Sequence, residues 1–181
     1  MALSGTEVRV AGTGNVYIAP RGTTLPTDTA TSLPAAWVDA GYISEDGVKF
    51  TLGRETTDLN AWQGSRVRVL TTGEPKSVEF TLMQTNKANL PFVLGGGTIA
   101  TAGTNEHSYT PPASGTNEER AMVVEYVDGA VKYRYVFSRV QIEGEVSFSL
   151  TKSGAVEYPL TWSVLDAKPA FLIFTDDPAF A

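Results

Sequence analysis

The sequence predicts a mostly β protein: two packed antiparallel sheets, sandwich-like or barrel-like, with one short helix and extended N- and C-terminal arms. Three observations predict it. Runs such as Val48–Leu52, Ser77–Gln84 and Glu145–Leu150 alternate apolar and polar residues, the period-two pattern of a sheet with one face on a core and the other in water. The 17 glycines and 10 prolines fall mostly between such runs, where turns belong. Only one stretch, Asn86–Leu94, has the flanks of a helix. The length of 181 residues suits one domain, with residues 1–14 as a loose N-terminal arm and 166–181 as a C-terminal extension.

In chain order, Glu7–Val10 offers a short strand inside the arm, and Asn15–Ala19 is the first strong strand, ended by Pro20. Arg21–Pro34, rich in Thr and Pro, reads as a loop that contributes nothing to a core. Ala36–Ile43 resumes extended backbone. Glu45-Asp46-Gly47 then reads as a turn that delivers the chain into the strand at Val48, with Gly47 free to take a positive φ. The polar segment Glu55–Ser65 and the alternating run Arg66–Leu70 separate that strand from Ser77–Gln84. A strand of that last length spans about 25 Å, long for a small domain and suited to a sheet shared between chains.

Asn86 can cap the helix, Pro91 sits close enough to its start to be tolerated, and Gly95-Gly96-Gly97 stops it. This helix is expected to plug one end of the sheet. Thr98–Glu119 reads as a long loop. Ala121–Val127, the turn Asp128-Gly129 and Val131–Phe137 make a hairpin. Glu145–Leu150 and Val156–Val164 alternate strictly, and Pro159, which lacks an N–H, belongs at an edge or a bulge. The last apolar run, Phe171–Phe174, lies in the C-terminal extension, which docks on its own domain or on a neighbouring chain.

Composition narrows the function. A net charge of −6 and a pI near 4.8 give no electrostatic footprint for gripping nucleic acid or an anionic membrane. The sequence has no cysteine, so disulfides, thiolate chemistry and cysteine metal sites are out. The N-terminus has neither the basic nor the apolar region of a secretory signal, and no apolar run is long enough for a membrane helix. The expectation is a soluble protein made in a cytoplasm.

No catalytic constellation emerges. The one histidine, His107, sits in the Gly/Thr/Pro-rich stretch, where nothing holds it as a triad base or zinc ligand. Gly12-Thr13-Gly14 and Gly95-Gly96-Gly97 lack the strand–loop–helix setting of a phosphate cradle. The carboxylate pairs Glu45/Asp46, Glu143/Glu145 and Asp176/Asp177 read as solvated strand ends, and no loop has calcium-binding spacing. Catalytic residues, cofactors and metals are therefore expected to be none, and the protein no enzyme. Arg66, Arg68, Lys132 and Arg134 alternate on strands, either as a nucleic-acid face or as partners of Glu and Asp across strands. Tyr133, Tyr135, Phe137, Phe148, Tyr158 and Trp162 share strand phases, either as core or as a sugar-binding platform. Trp62 differs, standing in a polar segment without apolar periodicity, either as an interface anchor or folded back onto its own domain.

Four phrases in order carry a resemblance: Asn15–Thr23 (NVYIAPRGT), Trp37–Val48 (WVDAGYISEDGV), Glu55–Gln63 (ETTDLNAWQ) and Val78–Asn86 (VEFTLMQTN). Together they resemble the major tail tube proteins of long, non-contractile-tailed bacteriophages, especially those of actinobacteria. The likeness spans about Asn15 to Leu94; the second half matches only in being rich in strands. It implies two packed sheets with one helix, related to the tube proteins of contractile tails and type VI secretion. It also implies hexameric rings that stack, with strands of neighbouring subunits joined into one barrel around a channel. Tape-measure, tail-tip and terminator proteins are the implied partners, and the virion tail, assembled in the host cytoplasm, the implied location.

The residues agree with that implication. A many-stranded barrel leaves a watery lumen and no free strand edges. The polar phases Glu79 and Thr81, Glu145, Ser147 and Ser149, and Glu157 and Thr161 are small or acidic, suiting a wall along which DNA slides without specific binding. Trp62 and Gln63, with Asp58, Arg66 and Arg68, are the expected contacts between subunits, together with the two chain ends. Two other readings stay open at this point: a surface β-sandwich that binds carbohydrate through its tyrosines, and a hydrolase using paired carboxylates.

Overall fold

The computed structural model describes residues 5–165 and 169–180; the first four residues of the arm, and residues 166–168 and 181 of the extension, lie outside them. The strands are β1 (Thr13–Pro20), β2 (Val38–Asp39), β3 (Ile43–Leu52), β4 (Glu55–Asn60), β5 (Arg66–Gly73), β6 (Lys76–Leu82), β7 (Thr98–Thr101), β8 (His107–Thr110), β9 (Arg120–Asp128), β10 (Val131–Glu143), β11 (Tyr158–Val164) and β12 (Phe171–Thr175). One helix, α1 (Asn89–Val93), falls between β6 and β7. The main sheet runs β2-β1-β9-β10-β11-β6-β3, with β12 also on β10, and every pairing is antiparallel.

Strand β10 divides this sheet into two layers. Its first half, Tyr133–Phe137, pairs with β12, whereas Val140–Glu143 pair with β11, and its register on β9 shifts between Phe137 and Val140. The layer β11-β6-β3 thus leaves the plane of β2-β1-β9 and folds back over it. Phe50 of β3 stacks on Tyr135 and Phe137 of β10, with ring centroids 4.9 and 5.8 Å apart. Between the layers, Val16, Met122 and Val124 meet Val78, Phe80, Leu82, Leu160 and Trp162. This is the apolar phase that the alternation of β6 and β11 marks out. Helix α1 plugs one end, its Phe92 stacked 4.2 Å from Trp162. Asn86 starts this turn as expected, its side chain accepting the amides of Ala88 and Asn89 at 2.9 Å, and the helix proper begins at Asn89. Gly95, at φ 74°, ends it.

Several sequence expectations change. Arg21–Pro34 does cover a core: Leu25 and Leu33 pack with Trp37 over Ala19, Ala121, Val123 and Val136 on the outer face of the first layer. Arg134 holds this loop by donating to the carbonyls of Asp28 (2.5 Å) and Thr31 (3.1 Å). Glu45-Asp46-Gly47 lies inside β3 as a bulge, where Ile43 and Val48 stand opposite Leu82 and Phe80, and does not start the strand. Thr98–Glu119 contains the hairpin β7–β8, fastened to the helix end by the Tyr109 hydroxyl, which donates to Gly96 O at 2.7 Å. Glu7 ends a short 3-10 turn, Gly5–Glu7, and Val8–Val10 form no strand. Glu145–Leu150 forms no strand either, despite its alternation. The C-terminal extension docks on its own chain, as β12 on β10. Pro159 pairs with Thr81 of β6, while on its other side β10 has already ended, at Glu143 opposite Thr161, so its missing N–H breaks no ladder there.

The two layers do not close on each other. A depression of about 600 Å³ parts β1 and β9 from β3, lined by Gly14, Asp39, Ile43, Phe50 and Tyr126 among others. The borders of the main sheet, β2 and β3, have no further strand among the described residues. Past Leu52 and Lys76 the β3–β6 ribbon continues, through the Gly53 N to Pro75 O bond (2.8 Å), into the hairpin β4–β5. Every residue of β4 is exposed, and all of β5 except Gly73, so this hairpin projects as an arm.

Candidate luminal face and contact arm

The outer face of the layer β10-β11-β6-β3 is built by strand alternation alone. With Val78, Phe80, Leu82, Leu160 and Trp162 committed to the core, their neighbours Ser77, Glu79, Thr81, Thr161 and Ser163 must point the other way. The registers align them into two rows that cross all four strands. One is Gln141, Ser163, Ser77, Thr51; the other is Glu143, Thr161, Glu79, Lys49. The first row is neutral and hydroxyl-rich. The second carries two carboxylates and one ammonium.

Lys49 donates to Glu79 Oε2 at 3.0 Å, and the Thr51 hydroxyl donates to Glu79 Oε1 at 3.3 Å. The Lys49 bond, opposed by partial desolvation, holds the Glu79 carboxyl below the usual range, so Glu79 stays ionised. Lys49 adds a cation to a face whose expected residues are small or acidic; it is tied to an acid and half-neutralises the row. Glu79, Thr81 and Thr161, with Glu145 and Ser147 from the segment after β10, line one open depression of about 370 Å³. Ser149 and Glu157 are exposed but lie outside it and outside any strand. Gln141, Ser77, Lys49 and Thr51 were missed as members of this face, although each holds the same period-two phase.

The arm gathers the other expected contacts. Asp58 and Arg66 form an ion pair at 2.8 Å, and Arg68 stands opposite Leu59. The tip is a tight turn in which Ala61 N donates to Ser65 O (2.8 Å) and Gly64 N to Ala61 O (2.9 Å). Trp62 sits there with its side chain 100% exposed, and Leu59, Val67 and Val69 are exposed along the hairpin. In the sequence β4 reads as a polar segment, with the β-branched Thr56-Thr57 as its one strand signal.

Two further groups of charges hold the fold together. Arg134, 2% exposed, donates from Nε to Glu125 at 2.5 Å, and Lys132 reaches the same carboxylate at 3.3 Å. Arg9 and Tyr133 both donate to Asp177, tying the N-terminal arm to the last turn. Of the aromatic set, Tyr133, Phe137, Tyr158 and Trp162 are buried, so they form core and no exposed sugar platform. His107 lies on β8 with Nδ1 3.2 Å from Thr101 Oγ1, and no cluster of metal-ligating side chains occurs among the described residues.

Comparison with curated proteins gives no match. Among solved structures the chain is similar to the tail of an empty GTA particle of C6 symmetry, at 11% identity over 92% of this chain and 96% of that one, with a TM-score of 0.41. It is similar to the tube terminating cap of the anti-feeding prophage (10% identity, 97% and 96% covered, TM-score 0.46). A third likeness is to the extended sheath–tube complex of the extracellular contractile injection system PVC (7% identity, 95% and 98% covered, TM-score 0.44). A family profile described as phage tail tube protein matches residues 1–177, far beyond the span of the four quoted phrases: the chain belongs to the phage tail tube protein family and is a structural subunit of the virion's tail.

Proposed function

We propose that copies of this chain, each acting as one unit over residues 1–181, join laterally into hexameric rings, and that the rings stack into a hollow tube that conducts viral DNA into the host. The observation that carries this is the unclosed layer β10-β11-β6-β3, polar on its outer face and bordered by β3, whose far edge pairs with no described strand. An exposed edge of ten residues invites strand addition, and a closed barrel removes it. Six such layers enclose a lumen too wide for side chains to fill. The two rows then face the bore. Duplex DNA carries about one charge per 1.7 Å of axis, and a wall whose one ammonium is bound to a carboxylate has little with which to displace its counterions.

In this reading Glu79, Thr81, Glu145, Ser147, Ser149, Glu157 and Thr161 border the channel. Trp62, Gln63, Asp58, Arg66 and Arg68 on the arm, and the chain ends, touch neighbouring subunits or rings. Tape-measure, tail-tip and terminator proteins meet the tube at its bore and its ends, and assembly takes place in the host cytoplasm. The subunit performs no turnover. Negative-stain microscopy of the purified, concentrated protein tests the reading: hollow filaments are the expected result. A monodisperse monomer that never polymerises and binds glycans would overturn it in favour of a carbohydrate-binding module.

A further inference from the structure

The segment Glu145–Leu150 has the sequence of a strand and none of its bonds. Glu145, Ser147 and Ser149 alternate with Val146, Phe148 and Leu150, in the same phase as Gln141 and Glu143 of β10. Among the described residues no backbone hydrogen bond joins 145–156 to anything, so the amides and carbonyls of a β-prone run are left to water. Phe148 is 41% and Leu150 76% exposed. Gly144, at φ 76°, stands at the hinge where the chain leaves β10. In the free subunit Glu145 and Ser147 overhang the depression that Glu79 and Thr161 line.

The border strand β3 shows the complementary pattern. Its polar phase, Lys49 and Thr51, faces the lumen side, and its apolar phase includes Phe50 and Leu52, 38% and 65% exposed. Against Glu145–Leu150, both phases match. The Lys49 ammonium falls on the face of the Glu145 carboxylate, Thr51 with the serine hydroxyls, and Phe50 and Leu52 with Phe148 and Leu150. Opposite charges and apolar pairs directly across strands are the contacts that stabilise a sheet.

We propose that Glu145–Leu150 is a latent strand that forms only on assembly, by pairing with the free edge of β3 in a neighbouring copy. The inference rests on the tube reading and names the edges that join two subunits. On assembly the segment swings at Gly144 off its own polar face, continues β10, and presents Glu145, Ser147 and Ser149 on the face that the two rows form. The luminal wall of each subunit is then completed by its neighbour, and β3 loses its open edge.

The test uses the absence of native cysteine. Chains with one cysteine in the segment (E145C, S147C or S149C) are mixed with chains with one in β3 (K49C or T51C), assembled and oxidised. Bridging requires Cα atoms within about 7 Å. A disulfide between copies in at least one combination, present in filaments and missing from the unassembled mixture, is the expected result. Filaments without a bridge in any combination overturn the pairing and leave the tube reading intact; a wild-type chain that never forms filaments overturns both. A second variant, Ser147→Pro, places a residue without an N–H where the free subunit has no ladder to lose. It should retain the thermal midpoint of the free subunit and lose filament formation, whereas wild-type assembly by Ser147→Pro sinks the proposal.

Discussion

Asp177 receives the Arg9 guanidinium through two bonds, from Nε at 2.7 Å and from Nη2 at 2.5 Å, so the final turn of the chain is clasped to its N-terminal arm. Tyr133 OH donates to the same carboxylate, as does Ala179 N at 2.9 Å, and the side chain is 2% exposed. The Arg9 bond, more than any other contact, holds the Asp177 carboxyl well below its ordinary value of 3.8. A depressed folded-state pKa contributes stability that is present above the unfolded value and disappears as pH falls below it. Asp177→Asn should therefore lower the thermal midpoint at pH 7, with the gap to wild type narrowing as pH drops below about 4. Hydrogen exchange should show faster exchange at both Val8–Gly12 and Ala179–Phe180, because one carboxylate fastens both. Loosening of one end alone would show that the clasp does not couple them.

The buried pair Arg134–Glu125 makes a separate prediction. Arg134 bonds Glu125 and the carbonyls of Asp28 and Thr31, so it anchors the loop that covers Val123 and Val136. Removing one partner of a buried ion pair leaves an uncompensated charge, a cost of about 3–5 kcal/mol. Arg134→Met should destabilise the subunit by that order in urea unfolding. Lys132, 3.3 Å from Glu125, softens the loss. The double change Glu125→Leu with Arg134→Met should recover part of it, since no charge is then stranded. Equal stability of wild type and Arg134→Met would mean that the pair merely fills space.

These contacts also mark how far the sequence could be read. Alternation located β6 and β11, because half-buried strands write their two faces directly into the residue order, whereas β1, β9 and the first half of β10 were located as apolar runs. Asp128-Gly129 gave the β9–β10 hairpin, and Asn86 with Gly95 framed the helix. The fork of β10 was invisible: each half reads as ordinary strand, and only the tertiary pairing assigns one half to β12 and the other to β11. Loop 21–34 misled because its covering residues, Leu25 and Leu33, lack any period. Glu145–Leu150 misled in the opposite sense, its period being clear and its partner missing from the single chain. On the polar face, Glu79, Thr81 and Thr161 were legible from phase. Lys49 shares that phase, but its partner Glu79 could not be named, because the bulge at Glu45–Gly47 sets the register of β3 on β6.

The luminal assignment predicts an effect on transport without one on assembly. Glu79 and Glu145 meet in the depression on the polar face, and Glu79 binds Lys49. Exchanging both for lysine and Lys49 for glutamate leaves the core phase untouched, keeps the pairings of position 49 with opposite charge, and puts two lysines on that face in place of one. Lysines along the bore would bind phosphates, in a manner that weakens steeply with salt. Particles carrying Glu79→Lys and Glu145→Lys with Lys49→Glu, which preserves the charge match across the subunit edge, should form tubes of normal appearance and eject DNA slowly, with partial rescue at higher ionic strength. Ejection at the wild-type rate would place these residues away from the bore.

The arm predicts the reverse, an effect on assembly without one on the free subunit. Trp62 lies fully exposed at the tip of β4–β5, with Leu59, Val67 and Val69 uncovered along the same hairpin. In the free chain its indole has no core to leave, so Trp62→Ala should change unfolding free energy by less than about 0.5 kcal/mol. A buried aromatic at the centre of an interface costs about 2 kcal/mol or more when truncated, roughly a thirtyfold loss of association. The critical concentration for filament formation should rise accordingly for Trp62→Ala, while Trp62→Phe retains much of the wild-type behaviour. Trp162 supplies the contrast: it is 1% exposed and stacked on Phe92, so Trp162→Ala should cost about 3–5 kcal/mol in the free subunit itself. If Trp62→Ala polymerises at the wild-type concentration, the tip of the arm is a solvated turn and the contacts between subunits lie elsewhere on the chain.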